Sequence, residues 1–69
     1  MTNMNLLRGR LGSMKMTVSA FAKEMGISRP TARRKIDGEV QFTVREMEKA
    51  CEILNITFEE APRFFLGSK

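Results

Sequence analysis

The sequence predicts an all-α domain of five short helices, and three observations predict it. Apolar residues recur at spacings of three, four and seven along most of the chain. Ser, Thr, Gly and Pro stand where helices start and stop. No stretch alternates apolar and polar residues with period two, so a sheet is not expected. Sixty-nine residues make a single domain spanning 1–69, near the lower limit for a core that folds without staples.

The first helix is expected from about Asn3 to Met14, with Met4, Leu7, Leu11 and Met14 along one face. Gly9 and Gly12 inside it each cost up to about 1 kcal/mol relative to alanine, so packing rather than propensity must hold it. Thr17 is the N-cap of the second helix, with Met16 and Phe21 placed for a hydrophobic staple. Phe21, Ala22 and Met25 are its apolar stripe and Gly26 ends it. Ser28 caps the third helix, Pro30 falls in its first turn, where a missing N–H does no harm, and Gly38 stops it. Ala32 and Ile36, four apart, are its inward face. Thr43-Val44-Arg45-Glu46 forms a capping box for the fourth helix, with Phe42 and Met47 at staple positions. Met47, Ala50, Cys51 and Leu54 mark the buried face of that helix, which makes Cys51 a core residue. Thr57-Phe58-Glu59-Glu60 repeats the box for a short fifth helix, which Pro62 is expected to break or kink. The apolar segment Phe64-Phe65-Leu66 either closes the core or forms a dimer contact, and spacing leaves both open.

Composition narrows the function classes. The chain has no histidine, the commonest general acid or base, and no glycine-rich phosphate loop or HExxH motif, so an enzyme is not expected. One cysteine and no Cys/His cluster give no expectation of a disulfide, a metal or any other cofactor. No apolar run is long enough to span a membrane and no signal-peptide core is visible, so a reduced cytoplasmic location is expected.

Charge is split along the chain. Residues 1–36 carry eight Lys and Arg against Glu24 alone, a balance of +7, while residues 37–69 carry four against seven acids, a balance of −3. A merely soluble surface intersperses the signs, whereas a cationic face suits a polyanion. The stretch from Val18 to Asp37 says where that face lies. Small Ala22, the turn residue Gly26, apolar Ile27 and the cap Ser28 fit two helices joined by a tight turn, the second loaded with arginine. A helix-turn-helix of this kind lays its second helix in the major groove of DNA.

Arg29, Pro30 and Thr31 occupy the first turn of that helix, with Arg33 and Arg34 one turn on. These five are the expected base-reading residues. An arginine fork bonds guanine O6 and N7 together, a contact worth about 1–3 kcal/mol of discrimination, while Pro30 and the Thr31 methyl suit a thymine methyl. Arg29 and Arg34 are the foremost candidates, while Arg33 suits phosphate or base. The expected phosphate contacts are Arg8, Arg10, Lys15, Ser19, Ser28, Lys35 and Arg45, at helix ends beside the groove. For Lys35 the alternative is a partly buried stem. A basic run on an isolated helix is ordinarily a solvated face; the framing by Ala22, Gly26 and Ser28 favours DNA.

With these residues in view, the chain resembles the Cro/cI-type phage repressor family, with its lambda-repressor-like helix-turn-helix fold. The carriers are Thr17, Phe21-Ala22, Gly26-Ile27-Ser28 and the terminal Asp37-Gly38, where the family usually has Asn-Gly. The segments Leu7–Arg10, Phe21–Ser28 and Met47–Leu54 look similar to small phage-encoded Cro-like proteins of Gram-positive hosts. The resemblance covers nearly the whole chain. It implies five helices, a homodimer, and base contacts from Arg29, Pro30 and Arg34. Val18 departs from the family's frequent phosphate-binding glutamine, Glu39 from a basic residue that touches the backbone, and Lys35 from an apolar core position.

The expectation is therefore a Cro-like transcriptional repressor that occupies operator DNA as a homodimer, with no membrane or small-molecule partner. The rival expectation is an antitoxin or anti-repressor-type interaction module that grips another protein through Phe64, Phe65 and Leu66. RNA binding lacks an aromatic platform interleaved with the cations.

Overall fold

The computed structural model describes residues 2–66. Among them are five helices and no strand: α1 Met4–Ser13, α2 Val18–Met25, α3 Arg29–Ile36, α4 Val44–Leu54 and α5 Ala61–Phe65. The first four start at side-chain caps. Asn3, Thr17, Ser28 and Thr43 each accept the N–H of the residue three further on, at 3.0 to 3.3 Å. At α4 the box closes, because the Thr43 N–H donates back to Glu46 Oε1 at 2.9 Å.

Their ends share one device. A residue of positive φ reverses the chain after each helix, and the following N–H reaches back to a carbonyl five residues earlier. After α2 and α3 that residue is glycine: Gly26 (φ 76°) lets Ile27 donate to Ala22, and Gly38 (φ 83°) lets Glu39 donate to Arg34. After α1 and α4 it is Lys15 (φ 55°) and Asn55 (φ 57°), with Met16 donating to Leu11 and Ile56 to Cys51.

The second capping box behaves differently from expectation. Thr57 and Glu60 do exchange the two bonds, at 3.2 and 3.3 Å. The helix nevertheless starts only at Ala61, after a turn. Pro62 has no N–H to return to residue 58, so the ladder cannot run through it; it sits instead in the first turn of α5, where that N–H is not needed.

Leu7, Phe21, Ala32, Ile36, Ala50 and Leu54 have no exposed surface and form the centre of the core. Ala32 and Ile36 thus face inward as the spacing predicts. Leu7 and Leu11 are buried on α1, while Met4 and Met14 at its ends keep about two fifths of their surface exposed (40% and 38%). Cys51 is half-buried against the core, and burial pushes its thiol pKa up.

Phe64 and Phe65 are buried, which corrects their candidacy as dimer contacts. The Phe65 ring meets Phe42 edge-on at 5.0 Å, and the Phe64 carbonyl accepts the Asn3 N–H at 2.8 Å, tying α5 to the start of α1. On so short a chain these two rings complete the core itself. Only Leu66 of the three remains exposed.

Candidate nucleic-acid interface

The α2–turn–α3 unit is built from small residues at its crossing and glycine at its corner. Phe21, Ala22 and Met25 of α2 are buried, as are Ala32 and Ile36 of α3. Alanine on both helices permits close approach, and the left-handed Gly26 turns the chain without a Cβ penalty. Ile27 packs partly into the core and pins the turn, leaving Ser28 to start α3 at the surface.

This geometry sends Arg29, Pro30, Arg33 and Arg34 outward; all four are exposed, and Thr31 is half-buried. The Ser28 hydroxyl accepts the Thr31 N–H and donates to Thr31 Oγ1 at 2.8 Å, so both hydroxyls rigidify the leading turn. Among the described residues Arg29 and Arg34 have no acidic partner within 4.0 Å, whereas Arg33 Nε stands 3.8 Å from Asp37 Oδ2. Two exposed guanidinium groups without counter-charge on one short helix suit a polyanion and a base edge alike.

The expected phosphate residues divide. Lys15, Ser19 and Arg45 are exposed, and neither Lys15 nor Arg45 is ion-paired among the described residues. Ser28 is exposed with its hydroxyl engaged as above. Arg8 is exposed and paired with Asp37, at the far end of α3.

Arg10 and Lys35 correct their phosphate assignment, because each is spent inside the protein. Arg10 donates to the carbonyls of Leu54 (3.5 Å) and Asn55 (3.4 Å) and to Glu60 Oε1 (3.4 Å), with its guanidinium 5.5 Å over the Phe64 ring. It serves the carbonyl end of α4, where the helix dipole is negative. Lys35 is buried, its side chain 8% exposed; Nζ lies 2.9 Å from Glu46 Oε1 and 3.3 Å from the Gln41 carbonyl, above the Phe42 ring at 5.9 Å. The buried-stem alternative describes it, with the ammonium neutralised at the N-terminus of α4. The Thr43 N–H, and then Lys35, hold the Glu46 carboxyl below its usual range.

Sequence reasoning missed Asp37 and Glu46 as partners of the basic residues. Asp37 was legible only as a helix terminus, and Glu46 only as a capping-box residue. A single signal was present: both acids lie within eleven residues of Lys35, in the acidic half of the chain that begins at Asp37.

Comparison with known families decides the class. A family model described as a Cro/C1-type HTH DNA-binding domain matches residues 6–64. The chain belongs to that family. None of the curated proteins compared with it matches. As a Cro/C1-type domain it is a DNA-binding protein, and its helix-turn-helix is α2–α3. No described helix is long and apolar enough to cross a membrane.

Proposed function

We propose that this Cro/C1-type protein is a Cro-like, phage-type transcriptional repressor that reads operator DNA in sequence and works by occupancy as a homodimer in the host cytoplasm. One observation carries the reading: α3 presents Arg29 and Arg34 exposed and without an acidic partner among the described residues. Arg29, Pro30, Thr31 and Arg34 take the bases and Arg33 base or phosphate; Arg8, Lys15, Ser19, Ser28 and Arg45 take phosphate.

The homodimer is supported by an apolar surface away from α3. Val44, Phe58 and Leu66 are exposed, Phe58 at 93%, and two adjoining clefts share Met47, Phe58 and Ala61. The occupant we assign is a second copy. Two chains of net charge +4 repel, and the clefts contain no cation among their lining residues, only Glu48 and Glu59. Joined there, two copies would set their α3 helices on half-sites about 34 Å apart.

A gel-shift titration against DNA flanking the protein's own gene, at two salt concentrations, tests the reading. Arg34→Ala should relax preference at one base pair, and Arg45→Ala should weaken binding evenly and flatten the salt slope. Unchanged affinity and preference in Arg34→Ala would overturn it. Phe58→Ser should convert the dimer to a monomer in sedimentation equilibrium. The interaction-module reading loses two of its three anchors, since Phe64 and Phe65 are buried.

A further inference from the structure

Asp37 stands where electrostatics disfavours it. It follows the last residue of α3, donating its N–H to the Arg33 carbonyl at 2.9 Å, so its carboxylate lies at the negative end of the helix dipole. An uncharged residue would end the helix equally well, because Gly38 supplies the reversal. The carboxylate is nevertheless engaged twice: Oδ1 with the Arg8 guanidinium of α1, and Oδ2 with Arg33 Nε at 3.8 Å. Both arginines stay solvent-exposed, at 45% and 63% of their side chains, while Asp37 is at 21%. Arg8 and Arg33 are therefore at the surface and charged, yet already hold an anion.

We infer that Asp37 is an internal stand-in for a DNA phosphate, which occupies Arg8 and Arg33 in the free protein and lowers its sequence-independent affinity for duplex DNA. The inference rests on the proposed DNA-reading role of α3. A carboxylate that bridges two arginines at a binding face must be displaced, or share them, before either can bond a phosphate oxygen. Because phosphate contacts carry no sequence information, weakening them costs random DNA and operator alike in absolute terms. It leaves Arg29 and Arg34, which have no such partner, as a larger fraction of what holds the protein to its site. Asp37 thereby limits the capture of the protein by the excess of non-operator DNA.

The test is fluorescence-anisotropy titration of a random-sequence 25-base-pair duplex with the full chain, its Asp37→Asn variant, and the triple variant Arg8→Gln/Arg33→Gln/Asp37→Asn, across 50–300 mM salt. Circular dichroism confirms that each is folded. At 0.1 M salt one phosphate contact is worth about eightfold in affinity. Asp37→Asn should therefore bind the random duplex roughly eightfold to sixtyfold tighter, with a log–log salt slope steeper by about 0.9 to 1.8. The triple variant should lose that gain. An unchanged or weaker affinity in Asp37→Asn would overturn the inference and make Asp37 a positioning residue for the two arginines. A gain that survives in the triple variant, whose net charge of +3 lies below the parent's +4, would overturn it too, because the effect would then need neither arginine. Failure of both the parent chain and Asp37→Asn to bind any duplex at 50 mM salt would overturn the DNA-reading role, and this inference with it.

Discussion

The cations of α3 fall into two sets, used in opposite ways. Arg29 in its first turn and Arg34 in its last are exposed and have no acidic partner among the described residues. Their neighbours in the last turn are engaged: Lys35 is buried against Glu46, and Arg33 shares Asp37 with Arg8. One set is left available to a polyanion. The other anchors the C-terminal end of α3 to α1 and to the start of α4. The contrast teaches that a basic run is not a uniform surface: whether a cation reaches a ligand depends on which acids the fold brings beside it, and those acids come from elsewhere in the chain.

The largest effect is expected from cutting the anchored end. Glu46→Ala leaves the Lys35 ammonium buried without a counter-charge and removes the return bond to Thr43. Urea denaturation should show a loss of about 2–4 kcal/mol, the lower part of the range reflecting that Glu46 is a quarter exposed (26%). Lys35→Met removes the charge and its partner's obligation together, and should fall within about 1 kcal/mol of the parent. If both variants were equally damaged, the pair would not be the anchor. Glu46, held down first by the Thr43 N–H and then by Lys35, also sets an acid limit. Glu46 has a folded pKa below its ordinary 4.5, so its contribution is fully present above the unfolded value and is lost as pH falls through the folded one. The fall in stability on acidification should therefore be shallower in Lys35→Met than in the parent when melts are compared between pH 6 and pH 3.

A smaller effect separates a free arginine from a structural one. Arg34→Ala should leave stability nearly unchanged and cost about 1–3 kcal/mol of discrimination at one base pair. Arg10→Ala should do the reverse. Loss of its bonds to Leu54, Asn55 and Glu60 should cost about 1–2 kcal/mol of stability, with no change in the salt slope of DNA binding once the protein is folded. Denaturation and anisotropy on the same two proteins make the comparison. A flattened salt slope in Arg10→Ala would return that residue to the phosphate set.

The sequence made legible whatever is decided within a few residues. Thr17, Ser28 and Thr43 announce helix starts because a cap bonds only three residues ahead, and Gly26 and Gly38 announce stops because a left-handed corner favours glycine. Ala32 and Ile36 face inward as their spacing of four requires. The assignments of Arg10 and Lys35 failed for the opposite reason. The partners of Arg10 lie 44 to 50 residues away, and no local pattern marks a cation that will cap another helix. Lys35 is nearer to Glu46 in sequence, yet the loop that brings them together is set by the burial of Phe42. The fifth helix was misjudged because the pattern at Thr57 is genuine as a turn, while Pro62 fixes where the helix itself can begin.

The smallest effect comes from the corner between α1 and α2, where residue types are inverted relative to backbone need. Gly12 lies inside α1, where glycine costs up to about 1 kcal/mol, and a Cβ added there meets nothing within 4 Å. Three residues on, Lys15 takes the left-handed position (φ 55°) that glycine would occupy at a cost lower by about 1 kcal/mol. Gly12→Ala and Lys15→Gly should therefore each raise stability by about 0.5–1 kcal/mol, and additively only in part, since they share one helix end. Their effects on DNA should part company. Lys15 is exposed and unpaired among the described residues, so its removal should flatten the salt slope by about 0.9, whereas Gly12→Ala should leave it unchanged. A Lys15→Gly protein that is more stable and binds random duplex as before would mean that the strained lysine serves neither the fold nor the phosphate backbone, and the cationic face would then end at α2.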